Sequence, residues 1–388
     1  MPDRKLFTLA SILITISVIL SYSLSAYVTL RFGVNEFHFA IRQAGFATLS
    51  IFLIWWLAQL DPDKWLKPIG FTLFIGSTIL MIAMPFLPDF LVSAVGGAKR
   101  WIKFFGFSLA PVEFFKVGFV YFLAWSFSRK LGHHDGMGLR NEFIRFAPYA
   151  VVFVGAMFII AFVQNDLGQV VVLGLTLLFM LIFAGSSFRF FFSILSATLL
   201  FFIFFILTAE HRILRIKSWW ALAQNSVLEL FPAAIARQLR VPTEEEPYQI
   251  GHSLNAISNG GFFGTGVGSG TFKLGFLSEV HTDFVLAGLA EEFGFLGVLF
   301  VVIIFMWMLQ RIFKIANRSA NTSIYLFSLG IGLLLSFSFL VNAYGISGIT
   351  PIKGISVPFL SYGGSAMLGA AFGVGMVLMA SKKAKMKK

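Results

Sequence analysis

The sequence predicts an all-α polytopic membrane protein with about ten transmembrane helices, both termini in the cytoplasm and one long extracytoplasmic loop between helices 7 and 8. Of its 388 residues 57% are hydrophobic and only 12% charged, and the mean hydropathy is +0.84, whereas a soluble domain carries about 25% charged residues. Apolar runs long enough to cross a hydrocarbon core recur along the chain. Because these runs are continuous rather than alternating, they predict helices and not a barrel.

Hydropathy places the spans in order along one predicted membrane domain, residues 1–388. The first, near Leu6–Val28, has a longer apolar core than a signal peptide and is predicted to be an uncleaved helix. The others lie near Phe39–Leu60, Ile69–Phe86, Pro111–Phe127, Phe146–Val163, Gly168–Ala184, Phe188–Thr208, Phe284–Leu309, Ser323–Tyr344 and Ser361–Ala380.

Basic residues decide the predicted orientation, because cytoplasmic loops carry the excess of Lys and Arg. With the N-terminus inside, the short inner segments are the basic ones, and they include the tail 381–388. The net charge of +12 is therefore explained by topology and anionic lipid rather than by nucleic-acid binding. The chain has no cysteine, which excludes disulfides and thiolate metal sites.

Three segments on the predicted outer side are unusual in composition: Pro88–Leu109, the long loop 209–282 and Gly345–Leu360. The third is rich in Gly and Pro yet apolar, so we expect it to return into the protein at membrane depth. Since all three lie on one side of the membrane, they are predicted to form one site. No internal repeat is visible, which weakens a transporter interpretation.

Four acids and a histidine cluster around the start of the eighth span. Asp283 lies at the outer mouth, where desolvation would raise its pKa and suit it to act as a base; position alone favours a helix-capping acid. Glu291 and Glu292 lie about 12 Å deeper and are predicted to hold the helix to its neighbours. Glu279 and His281 lie near the same mouth and resemble a metal-ligand set only weakly.

Two basic groups lie on the predicted outer side, against the positive-inside bias. They are Lys99, Arg100 and Lys103 around Trp101, and Arg212, Arg215 and Lys217. Arginine forks match phosphate oxygens, so both groups predict a phosphate or pyrophosphate ligand. For the first group, interfacial snorkelling beside a belt tryptophan is the alternative.

Other polar positions leave two interpretations open. Glu113 and Lys116 share a helix face, which fits a buried ion pair or a lysine that reaches a phosphate. Asn165 and Asp166 occupy a tight outer turn, where a turn role is sufficient and a substrate contact stays open. The glycine-rich stretch Asn259–Gly275 lacks the P-loop pattern, although its amides could bind an anion.

Seven motifs, in order along nearly the whole chain, closely resemble those of the SEDS family, which comprises FtsW, RodA and SpoVE. They are GGAKRWI, LAPVEFFK, QNDLG, HRILRIK, YQIGHSLNAISNGGFFGTGVG, HTDFVLAGLAEEFGFLG and TPIKGISVPFLSYGGSA. The resemblance implies a ten-helix bacterial glycosyltransferase that polymerises lipid II into β-1,4 glycan strands on the outer face of the cytoplasmic membrane. It also implies a class B penicillin-binding transpeptidase and other division proteins as partners.

The resemblance implies roles for individual residues. Asp283 matches the essential catalytic aspartate of the HTDF motif, and we expect it to deprotonate the incoming sugar hydroxyl while pyrophosphate leaves with inversion. The predicted substrate- and pyrophosphate-binding residues are Lys99, Arg100, Trp101, Glu113, Lys116, Arg212, Arg215, His281, Lys353 and Ser361. A divalent cation, Mg²⁺ or Mn²⁺, is implied by the family alone, and no organic cofactor is expected.

The chain also departs from the family pattern. Ala110–Glu113 replaces QPSE, Asn165 and Ser278 replace prolines, SWWALAQ replaces FLDP, and Trp219–Glu246 is expanded. These changes affect loop conformation rather than the predicted chemical groups. TPIKG is closer to the FtsW branch than to RodA and favours a septal over an elongation role. The rival functions are a flippase for the same lipid, which would need polar sites on both faces, and a scaffold for division proteins.

Overall fold

The structure is a computed structural model that describes residues 2–95, 98–104, 107–130, 139–208, 210–229, 231–241 and 248–384. These residues form fourteen α-helices and one small sheet. The helices are α1 Arg4–Leu24, α2 Ala26–Phe32, α3 His38–Gln59, α4 Pro62–Ala83, α5 Pro111–Lys130, α6 Leu139–Phe158, α7 Leu167–Phe183, α8 Phe188–Leu207, α9 Glu210–Leu228, α10 Ala233–Leu239, α11 Tyr248–Gly260, α12 Val285–Asn317, α13 Thr322–Ile346 and α14 Gly364–Ser381. The strands are β1 Val92–Val95, β2 Ala98–Phe104 and β3 Phe107–Leu109. Residues 242–247 of the long loop and 385–388 of the basic tail lie outside the described residues.

Each of the ten predicted spans coincides with a helix, namely α1, α3 to α8, and α12 to α14. Among the described helices, eight are long and apolar enough to cross a membrane, and α7 is a shorter apolar helix. Helix α5 carries Glu113, Lys116, Arg129 and Lys130. The protein is therefore a helical multi-pass membrane protein, and ten crossings stay a prediction.

The centre of the bundle is formed by α13 and α14, the most buried of the eight apolar helices. Helix α13 packs against α5, α7 and α12, and α14 packs against α3 and α5. The two chain ends meet, because the amide of Asp3 donates to Ser381 Oγ at 3.2 Å and the Asp3 carboxylate pairs with Arg311. Both ends thus lie at one end of the bundle; which face is cytoplasmic stays a prediction.

The first outer segment forms an antiparallel sheet in the order β1-β2-β3, which the sequence analysis did not predict. Its register pairs Ser93 with Trp101 and Lys103 with Ser108. Consequently Arg100 and Trp101 lie on a hydrogen-bonded strand rather than on a free loop.

Helix α12 is broken at Gly294, whose φ of 64° and ψ of −167° are not helical. A side chain is excluded there, because a Cβ would lie 2.3 Å from a backbone nitrogen of the facing loop. The break frees backbone groups, which is costly inside a membrane. The glycine-rich stretch pairs them: the amides of Thr265 and Gly266 donate to the carbonyls of Glu291 and Glu292 at 2.9 and 3.0 Å. The break in α12 and the glycine-rich stretch therefore belong together, because the amides of the stretch bind the carbonyls that the break leaves free.

The side chains of Glu291 and Glu292 bind the same loop. Glu292 forms an ion pair with Lys273 at 2.6 Å, and both side chains are almost fully buried. Ser23 of α1 also donates to Glu292 at 2.7 Å, and the amide of Thr271 donates to Glu291 at 2.6 Å. The prediction that these glutamates hold α12 to its neighbours is confirmed.

We expect Glu292→Gln to destabilise the fold, because it leaves the Lys273 ammonium buried without a countercharge; breaking such a pair costs about 3–5 kcal/mol. The midpoint of thermal unfolding in detergent measures the effect. Asp89→Asn is the matched control, since it removes the exposed Lys99–Asp89 pair, which contributes less than about 1 kcal/mol. Equal midpoints for the two variants would contradict the prediction.

Candidate active site

A cavity of about 670 Å³ lies at the end of the bundle opposite to the chain termini. Its lining comes from β2, the turn before α7, α9, the start of α11, the turn before α12 and the segment 351–354. The charged residues that line it are Arg100, Asp166, Arg212, Glu279, Asp283 and Lys353. All three outer segments thus contribute to one cavity, as the sequence predicted.

Asp283 lies in the turn before α12, and its backbone is fixed from two sides. Its amide donates to the carbonyl of Glu279 at 3.1 Å. Its carbonyl accepts from Asn342 Nδ2 of α13 at 2.6 Å, and the same amide group donates to the carbonyl of Ile355 at 2.7 Å. One side chain therefore joins the Asp283 turn to the returning segment. That segment is buried from Val357 to Leu360, as expected for a chain that re-enters the protein.

The electrostatic surroundings of Asp283 favour its neutral form. Burial raises the pKa of this carboxyl to about 7, and the negative charges of Glu279 and Asp166 act in the same direction. The guanidinium of Arg100 acts in the opposite direction but does not cancel the effect of burial. Near neutral pH the group can thus both accept and release a proton, which suits general base catalysis.

Arg100 joins the sheet to the turn before α7. Its Nε donates to the carbonyl of Gln164 at 2.6 Å, and an Nη donates to that of Asn165 at 2.7 Å. Asp166, the next residue, caps α7 by accepting from the amide of Gln169 at 3.2 Å. Burial raises the pKa of Asp166, and the charge of Arg100 opposes that shift. Arg100 therefore positions the turn and contributes positive charge to the cavity.

Three more predicted binding residues, Arg212, Trp101 and Lys353, line the cavity. Arg212 Nη1 donates to the carbonyl of Phe205 at 2.8 Å, and the guanidinium carbon lies 3.6 Å from the centre of the Phe205 ring. The side chain of Arg215 lies outside the described part of the structure. Cations from three separate segments thus line the same cavity as Asp283.

Three other predicted binding residues form ion pairs outside the cavity lining. Glu113 and Lys116 pair at 2.7 Å in the interior, where Gln169 donates to Glu113 at 3.1 Å. Lys99 pairs with Asp89 at 3.0 Å on the surface. Of the two interpretations of Glu113 and Lys116, the structure favours the buried ion pair, because the two side chains meet on one face of α5 and the packing of neighbouring helices buries both. Direct contact of these residues with pyrophosphate stays a prediction.

His281 and Ser361 also lie away from the cavity lining. The buried His281 ring packs against Phe39 and Tyr362, with ring centres 5.4 and 5.5 Å apart, and burial lowers its pKa. Ser361 Oγ donates to the carbonyl of Thr282 at 2.6 Å. Both residues therefore support the shape of the Asp283 turn, and substrate contact by either stays a prediction.

Sequence reasoning missed Asn342 and gave no role to Trp219, which also lines the cavity. Asn342 could have been identified from the sequence, because an amide side chain in an otherwise apolar helix requires a hydrogen-bond partner when it is buried. Trp219 could not have been identified in this way, since aromatic residues are common throughout this chain.

Comparison with known proteins gives matches over nearly the full chain. The family model for cell cycle proteins of the FtsW, RodA and SpoVE type matches residues 3–386. A probable peptidoglycan glycosyltransferase FtsW of Helicobacter pylori is 48% identical over 384 residues, 99% of each chain. Its counterpart in Haemophilus influenzae is 32% identical over 383 residues, 97% of this chain and 89% of the relative.

Solved structures share the fold. The rod shape determining protein RodA of Thermus thermophilus aligns with a TM-score of 0.65 at 19% identity, over 100% of this chain and 99% of RodA. A chain from a peptidoglycan synthase complex aligns with a TM-score of 0.72 at 20% identity and the same coverage. The family match and the identities show that the protein belongs to the FtsW/RodA/SpoVE family of cell cycle proteins, the SEDS family.

Proposed function

We propose that the protein is a peptidoglycan glycosyltransferase that polymerises lipid II into β-1,4-linked glycan strands at the division septum. The observation that carries the proposal is the cavity that places Asp283, with its pKa raised to about 7, among Arg100, Arg212 and Lys353. A base and an anion-binding surface are what this transfer needs. The names of the FtsW relatives support the septal role over the elongation role.

The chemistry is a single displacement. Asp283 accepts the proton of the acceptor 4-hydroxyl, and that oxygen forms a bond to C1 of the donor sugar. The bond from C1 to the diphosphate oxygen breaks, and its electron pair stays on the diphosphate. Arg100, Arg212 and Lys353 stabilise the charge that develops there. Attack from the opposite side converts the α-linked donor into a β-linkage, so the enzyme is inverting.

The partner and the membrane follow from the same chemistry. A strand made from a lipid-linked precursor must be crosslinked where it emerges, which supports a class B penicillin-binding transpeptidase as partner and the outer face of the bacterial cytoplasmic membrane as the location of the cavity. Among the described residues, no three His, Asp or Glu side chains group together to hold a metal ion.

We expect Asp283→Asn to lower the polymerisation rate roughly 10²- to 10⁴-fold, because the amide cannot accept the proton. In the assay, labelled lipid II is incubated with the purified protein and its transpeptidase, and the rate of polymer formation is measured. Asp63→Asn, which changes an exposed carboxylate paired with Lys383 at the end of the bundle that holds the chain termini, is the control and should leave the rate unchanged. Polymer at the normal rate from Asp283→Asn would refute the assignment, and lipid translocation without any polymer would identify a flippase.

The initial rate should increase with pH through about 7, because only the ionised Asp283 can act as the base. With a pKa of about 7, roughly a tenth of the groups are ionised at pH 6 and nine tenths at pH 8. Glu279→Gln removes a negative charge that raises this pKa, so the midpoint should move to lower pH. A midpoint that stays in place or moves upward in the variant would show that another group controls the profile.

Gly354→Ala should lower the catalytic rate, because a Cβ at this position would lie 2.8 Å from Oδ2 of Asp283 and displace the carboxylate. Gly345→Ala, in the last turn of α13, is the control, since its Cβ would make an ordinary contact at 3.5 Å. The rate of polymerisation and the midpoint of thermal unfolding are measured for both variants. If the two variants show equal activity, the position of the carboxylate does not limit the reaction.

A further inference from the structure

Helix α9 forms one wall of the cavity that Asp283 lines. The wall residues are Arg212, Leu214, Ile216, Ser218 and Trp219. The second half of this helix includes SWWALAQ, where the chain departs from the family pattern, so the resemblance assigns no role to those residues. The contacts that hold this wall in place are therefore read from the structure alone.

Trp219 connects α9 to the segment that returns into the protein. Its indole Nε1 donates to the carbonyl of Gly348 at 2.8 Å. An indole has a single donor, and here a backbone carbonyl accepts it. The chain continues from Gly348 to Lys353 and Gly354, which line the cavity. This hydrogen bond therefore joins two walls of one cavity.

The neighbouring indole makes a contact of a different kind. Trp220 Nε1 donates to the carbonyl of Leu239 at 2.8 Å, and Gln224 bonds both the amide and the carbonyl of Val241 at 2.9 and 3.0 Å. These bonds join α9 to the region of α10 and not to the returning segment. The two adjacent tryptophans thus have the same chemistry, but only Trp219 connects the cavity walls.

Among the side chains of α9 that the structure describes, two attach its cavity face to neighbouring segments. Arg212 bonds the end of α8 through the carbonyl of Phe205, and Trp219 follows seven residues later. Seven residues are about two helical turns, so both side chains lie on the same face, about 10 Å apart along the axis. If the Trp219 hydrogen bond were lost, only the Arg212 attachment of these two would remain.

We propose that Trp219 is a positioning residue for the lipid-linked sugar diphosphate: its hydrogen bond to Gly348 fixes the distance between α9 and the returning segment, and so sets the width of the cavity before substrate binds. This inference rests on the proposed glycosyltransferase function. Without the bond, the substrate has to order the wall as it binds, which weakens binding. The chemical step itself is expected to be unchanged, because the hydrogen bonds that fix the backbone of Asp283 come from Glu279 and Asn342 and do not involve Trp219.

The test compares three variants of the full-length protein by their KM and kcat for lipid II. Trp219→Phe keeps an aromatic ring and removes the donor, so we expect KM to increase about 3- to 10-fold, as for loss of one hydrogen bond, with kcat within about twofold of the natural protein. Trp219→Gln restores a donor of similar reach, and its KM should lie closer to that of the natural protein. Trp220→Phe is the control and should change neither parameter.

Several outcomes overturn the proposal. A normal KM for Trp219→Phe, a lower kcat at constant KM, or a larger KM for Trp219→Gln than for Trp219→Phe would each do so. Direct binding of labelled lipid II to Asp283→Asn, with and without Trp219→Phe, gives a second measurement without turnover, and the added change should weaken binding by the same factor. If the natural protein itself forms no polymer, the proposed function fails. If it polymerises lipid II and the Trp219 variants have an unchanged KM, only this inference is refuted.

Discussion

The architecture depends on the pairing of backbone groups where α12 is broken. A helix that breaks inside the bilayer has to find new hydrogen-bond partners, because no water is present to replace them. The glycine-rich stretch supplies these partners, and the buried Lys273–Glu292 pair keeps the stretch in place. The first part of α12 is thereby fixed to α1 and α11, and the turn that it supports carries Asp283. The chemical group at the outer mouth is thus positioned by interactions well below it.

The properties of Asp283 result from the balance between burial and neighbouring charge. Burial with two nearby acids raises its pKa, while Arg100 opposes that rise. A closer contact with Arg100 would lower the pKa of Asp283 and make it a weaker base, whereas loss of that charge would raise the pKa further. The backbone contacts of Arg100 and Arg212 hold their guanidinium groups in place before any substrate is present. An arginine carries five donors, so these bonds leave others for phosphate oxygens.

The sequence predicts those parts of the molecule that depend on composition and local pattern. The spans, the three outer segments and Asp283 follow from apolar runs, charge position and motif. The sheet could not be predicted, because each of its short strands is stable only when it is paired with the adjacent strand. The break in α12 was missed for a similar reason, since Gly294 alone does not show that a loop will pair with the freed backbone. For Glu113 and Lys116, only tertiary packing decides between an ion pair and a phosphate contact.

The departures from the family pattern can be interpreted in the same terms. Asn165 occupies a position where a proline is usual, and its φ is 50°. The ring of proline fixes φ near −65°, so a proline could not adopt this backbone, whereas asparagine tolerates it. The turn before α7 therefore follows a path that proline would forbid. Arg100 bonds this turn only through the carbonyls of Gln164 and Asn165, and carbonyl groups are present whatever the side chain. The positions of these carbonyls depend on the backbone conformation at Asn165, so this residue helps to hold Arg100 in the cavity that Asp283 also lines.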